Sequence, residues 1–87
     1  MWDASLRQLR WQIKQDDAMH GGFNSTHEAL GVLTEEFDEL KAAIHANALA
    51  SVSHEAMQVS AVALRLYELC ERAMAGKADA FKARSGA

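Results

Sequence analysis

Along residues 26–46, Leu30, Leu33, Phe37, Leu40 and Ile44 recur at spacings of three and four, the period of one helical face. Ser25, followed three residues later by Glu28, has the spacing of a capping box, so the pattern predicts a helix that opens at Ser25 and runs to about Ala46. Upstream, Leu6, Leu9 and Ile13 repeat in the same way behind Trp2. They predict a first helix from about Asp3 to about Met19, ended by Gly21 and Gly22. Downstream, "AVALRLYELC" is apolar over much of its circumference, as in a central, heavily packed helix. This third helix is expected to start at Ser51 or Ser53, both good cap residues, and to stop after Ala75, where Gly76 supplies a terminator. The tail "KADAFKARSGA" either adds a short helical turn around Phe81 or remains loose. The expected fold is all-α, a small antiparallel bundle of three main helices.

Size and composition change the picture in one respect. Eighty-seven residues make one domain, 1–87, with 76–87 as a tail, and a domain this small is only marginally stable by itself. Yet 49% of the residues are apolar and proline is absent, which supplies more apolar surface than a lone small bundle can hide. A homo-oligomer, dimer or tetramer with a four-helix-type core, is therefore expected. The net charge of −3 and nine scattered basic residues leave no positive stripe for nucleic acid. Charges every few residues in "MWDASLRQLRWQIKQDD" exclude a signal peptide or membrane span there, and the expected location is the cytoplasm. The single cysteine, Cys70, excludes an internal disulfide and sits in an apolar stretch that suits packing.

The chemistry lies in the crowded acids of "LTEEFDEL". At about 100° per residue Glu35 and Asp38 fall away from the Leu30–Ile44 stripe, as solvated charges do, whereas Glu36 and Glu39 fall at its edge, one turn apart and partly desolvated. On the third helix Glu55 falls in the sector of Val62, Leu66, Leu69 and Ala73, with Gln58 at its margin. A carboxylate among apolar residues needs a compensating charge or hydrogen bonds. Helices joined by a short loop pack antiparallel, and residues level with each other then share an index sum. Glu36 with Gln58 and Glu39 with Glu55 both give 94, twice 47, and Asn47 opens the loop proposed on independent grounds. The four residues are thus expected to form one rectangular cluster. An oxygen-only, acid-rich set suits a hard divalent cation, Mg²⁺ or Mn²⁺. The alternative is ordinary pairing of Glu36 and Glu39 with Lys41, Arg65 or a partner chain, with Glu55 at the positive end of its helix.

These residues resemble the MazG-like, all-α nucleoside triphosphate pyrophosphohydrolases related to the dimeric dUTPases. "LTEEFDEL" is similar to the family's EExxE segment, "HEAMQVSAVALRL" to its second acidic helix, usually ExxD, and "HGGFNSTHEALGVLTEE" to the lead-in of some small members. The resemblance covers most of residues 15–70. It implies Mg²⁺-dependent cleavage of a nucleoside triphosphate to the monophosphate and pyrophosphate, in a dimer or tetramer. It implies Glu36, Glu39, Glu55 and Gln58 as metal ligands, with Glu35 supporting them or orienting a water. Gln58 departs from the family pattern, because its amide oxygen can ligate a metal but brings no charge and cannot act as a base.

Positive groups are also needed at the phosphates. Arg65, two turns beyond Gln58 on nearly the same side, is the first candidate; Lys14, Lys41 and His20 follow. For Arg65 the competing reading is a surface side chain covering apolar neighbours. His20, His27, His45 and His54 flank the two loops without a zinc spacing. Trp11 or Phe23 could stack on a base, although packing is the simpler role for both.

Overall fold

The structure, a computed structural model, describes the backbone of residues 2–84 and the side chains of residues 2–77. Three helices follow in order: α1 (Trp2–His20), α2 (Thr26–His45) and α3 (Leu49–Arg84). No strand occurs among the described residues, so the chain is a small all-α bundle. α3 is the central rod, and α1 and α2 pack on it rather than on each other. Its 36 residues span about 54 Å at the helical rise, which accounts for most of the molecule's 59 Å length. The radius of gyration, 16.4 Å, well exceeds the roughly 12 Å of a compact chain of this length. No described helix is long and apolar enough to cross a membrane.

Each helix end has a local cause. Gly21 closes α1 with φ +71°, its N–H donating to the Asp17 carbonyl (2.9 Å), the single bond of an αL cap. Ser25 caps α2 in extended conformation, its Oγ accepting from the Glu28 N–H (3.1 Å). The return half of the capping box is displaced by one residue. Glu28 Oε2 accepts from the Asn24 side chain (3.1 Å) and from its N–H (3.4 Å) rather than from the Ser25 N–H. At the other end Asn47 adopts φ 56°, the Asn47 N–H donates to Ile44 and the Ala48 N–H to Ala43. Those two bonds are a complete Schellman turn, and it reverses the chain within three residues.

Two boundaries depart from expectation. α3 begins at Leu49, not at Ser51 or Ser53, because the Schellman turn already delivers the chain in helical direction and the Val52 N–H bonds back to Ala48. It also continues through Gly76 to Arg84, so the expected stop and the loose tail do not occur over 76–84. An interior glycine weakens a helix by only about 1 kcal/mol, and the alanines, lysines and arginine around it are good helix formers. Residues 85–87, and the side chain of Phe81, lie outside the described set.

The apolar stripe of α2 is also divided differently. Ala29 and Ala43, fully or nearly buried, and half-buried Leu33 and Leu40 face α3. Leu30, Phe37 and Ile44 are each more than half exposed. Small side chains at the contact line let the two helices approach closely, and this turns the stripe's larger members to one side. Ala61 and Val62 complete the buried apolar set, and Arg65 is the one buried charged residue described.

Candidate metal centre

Because Asn47 makes the α2–α3 connection short and tight, residues on either side of it lie level across the helix pair. Glu36, Glu39 and Glu55 accordingly converge: one carboxylate oxygen of each lies within 4.8 Å of the other two. Glu36 and Glu55 are half-buried and Glu39 is exposed, more open than its place at the stripe's edge suggested. The Oε2 atoms of Glu36 and Glu55 are sealed from solvent and have no hydrogen-bond partner. Among the described residues no cation meets Glu55, although its apolar surroundings demand a compensating group.

Electrostatics follow from this crowding. Burial pushes the Glu36 carboxyl up from 4.5 to about 7, with the charges of Glu39 and Glu55 adding to the effect. Glu39 is raised as well, first by sharing a proton with Glu55 and then by that neighbour's charge. Fully ionised, the cluster holds three negative charges and no donor; each proton gained relieves repulsion and supplies the missing donor. A hard cation would do the same with more charge. Two oxygens on one Mg²⁺, each at about 2.1 Å, are at most about 4.2 Å apart. Of three donors on one octahedral ion at least two pairs are adjacent, about 3 Å apart, so a set gathered within 4.8 Å would draw in by on the order of 1 Å, and the oxygen-only donor set fits such an ion.

Beside the cluster runs a groove of about 350 Å³, within the range of small-molecule sites. Gln58, Val62 and Arg65 of α3 floor it, Asp16 and His20 of α1 form one wall, and Val32, Glu35 and Glu36 of α2 form the other. Glu36 belongs to both groove and cluster, whereas Gln58 lines the groove and Glu39 and Glu55 belong to the cluster without lining the groove. Of the expected basic contacts, Arg65 and His20 line the groove, whereas Lys14 and Lys41 are exposed and do not.

Arg65 is not the surface side chain that its helical position allowed. It is 8% exposed; its Nε–H donates to Asp17 Oδ1 (3.1 Å) and its Nη2–H to the Gly21 carbonyl (2.8 Å). The guanidinium also lies 4.3 Å from the Phe23 ring centre, a cation–π contact. It therefore anchors the end of α1 and the glycine loop to α3, and offers the groove only its remaining N–H donors. Phe23 is occupied by this stacking, and Trp11 is exposed on α1 away from the groove. Cys70 is a half-buried free thiol. Asp17 and the Gly21 carbonyl were not legible as Arg65 partners, because they lie more than forty residues away and helical periodicity carries no signal across elements.

No family model, no curated protein and no solved structure matches this chain.

Proposed function

We propose that this chain is a magnesium-dependent nucleoside triphosphate pyrophosphohydrolase of the MazG-like kind, yielding the monophosphate and pyrophosphate. The observation that carries the reading is the trio Glu36, Glu39 and Glu55, drawn from two helices to within 4.8 Å, with two sealed oxygens lacking any partner. The adjoining groove supports it, since a ligand there would lie against Glu36 and Gln58 at one end and Arg65 and His20 at the other.

In this reading Glu36, Glu39 and Glu55 hold the cation, with the Gln58 amide oxygen as an uncharged fourth donor. When bound, the cation would neutralise triphosphate oxygens and acidify a water for attack on phosphorus. Glu35, exposed on the groove wall, orients or accepts a proton from that water. The free donors of Arg65, already fixed by Asp17, Gly21 and Phe23, and the His20 imidazole bind phosphate oxygens without reorganising.

The test is pyrophosphate release from a panel of nucleoside triphosphates in Mg²⁺. Glu39→Gln and Glu55→Gln are each expected to lower kcat/KM about 10²–10³-fold, the usual cost of one preorganised charge. Absence of turnover with folded protein at high concentration overturns the catalytic reading.

Gln58 favours a second reading, a nucleotide-binding module without catalysis, because a neutral amide stands where the resemblance leads one to expect a carboxylate. Calorimetric titration with Mg²⁺ and a nonhydrolysable triphosphate separates the two: binding without turnover selects the module.

A further inference from the structure

The two walls of the groove are fastened to its floor in different ways. α2 is joined to α3 by the tight Asn47 turn and buries Ala29 and Ala43. α1 buries no residue, and only its Leu9, Gln12, Ile13 and Asp16 are half-buried. It touches α3 and not α2, so the width of the groove is set by how α1 sits on α3.

The joint behind α1 is open. The chain leaves this helix through Gly21 and Gly22, and a Cβ at either would meet nothing within 4 Å. Such a joint absorbs a swing with little steric resistance. What holds the helix is one guanidinium. Arg65, buried on α3, donates to Asp17 in the last turn of α1 (3.1 Å) and to the Gly21 carbonyl (2.8 Å), and it lies over the Phe23 ring (4.3 Å). These contacts grip the chain on both sides of Gly22, and the one to Asp17 is the one ion pair among the described residues. The walls carry like charge, Asp16 on one and Glu35 on the other, which opposes collapse of either onto its opposite.

We propose that α1 is a movable jaw, detaching from and re-docking on the α2–α3 hairpin as one unit about Gly22, with Arg65 as its latch. A helix with a small apolar footprint and one polar anchor opens at lower free energy than the core it rests on, as cooperative sub-global units do. Because Arg65 is fixed in the floor, release means losing Asp17, Gly21 and Phe23 together, and the motion is all-or-none rather than graded. Opening removes Asp16 and His20 from the groove. It leaves Glu36, Glu39 and Glu55 in place, because all three belong to the hairpin. Access to the groove is thereby separated from assembly of the acid cluster, whatever the groove binds.

The test is hydrogen exchange of the full chain, read by mass spectrometry. In the wild type the amides of residues 9–17 are expected to exchange together, on the order of tenfold or more faster than those of 33–43 and 55–65. Protection that climbs gradually from Trp2 to Asp17, as in a fraying helix, or that equals the hairpin's, overturns the jaw. Arg65→Ala is expected to speed exchange across 9–17 by a further factor of about ten or more, the usual worth of hydrogen bonds to a charged group, and to leave 33–43 unchanged. An equal rise in both segments, or no rise in α1, overturns the latch. Should that variant not fold, the wild type in urea decides. Trp2 and Trp11 are the chain's two tryptophans and both lie on α1, so fluorescence anisotropy follows this helix alone. Its fall is expected at lower urea than the main loss of helical circular dichroism, and coincident midpoints overturn the proposal.

Discussion

At Glu36 the sealed oxygen is the place where a proton and the proposed metal ion would compete. Its carboxyl titrates at about 7 in the folded chain against 4.5 in the unfolded one, so the native state binds the proton more tightly. This stabilising contribution is fully present below about pH 4.5 and is lost as pH rises through 7. The metal-free protein is therefore expected to melt at a lower temperature at pH 8 than at pH 5. Glu36→Gln should flatten that dependence and raise the melting temperature at pH 8, and Mg²⁺ should stabilise the wild type more at pH 8 than at pH 5. Scanning calorimetry at the two pH values checks all three; a wild type that stabilises steadily from pH 5 to 8 contradicts the burial of this group. Arg65 poses a question of magnitude. Its ion pair reaches a carboxylate that is 53% exposed, and such pairs contribute under about 1 kcal/mol. The bond to the Gly21 carbonyl and the stacking on Phe23 are the larger part. Asp17→Ala should thus cost under about 1 kcal/mol and Arg65→Ala about 2–4 kcal/mol, read from urea unfolding. Periodicity placed Arg65 near the site but was blind to this role, since its partners belong to the first helix and the loop after it.

Two glycines separate turn chemistry from helix chemistry at the scale of elements. Gly21 has positive φ and a Cβ there would meet nothing within 4 Å, so Gly21→Ala should destabilise by about 1 kcal/mol through backbone strain alone. Gly76 lies within α3 with equal space around it, so Gly76→Ala should stabilise by about 0.5–1 kcal/mol. Paired thermal melts check the opposite signs. In sequence both glycines read as terminators, and only one is. What distinguishes them is context: Asp17 supplies a carbonyl for the cap at Gly21, whereas good helix formers surround Gly76. The second helix was the most legible element, because Ser25, Glu28 and an unbroken apolar period mark its start and body. Which part of that period touches α3 was not legible, since the contact line is set by Ala29 and Ala43, residues too small to dominate a hydrophobic pattern.

For the whole molecule, the gathering of Glu36, Glu39 and Glu55 could be deduced from spacing alone, because it depends only on helical periodicity and on where the chain turns. The groove could not, because its second wall comes from α1, whose placement follows from the Arg65 anchor. The Asn47 turn has a further consequence. Since each residue added to a helix rotates everything beyond it by about 100°, one amino acid inserted between Ala46 and Leu49 would swing Glu55 of α3 away from Glu36 and Glu39 of α2. The acid cluster thus depends on a single mechanical hinge pin that lies outside it. Replacements on the surface leave this register intact, whereas a change of length at this corner would scatter the three carboxylates in one step.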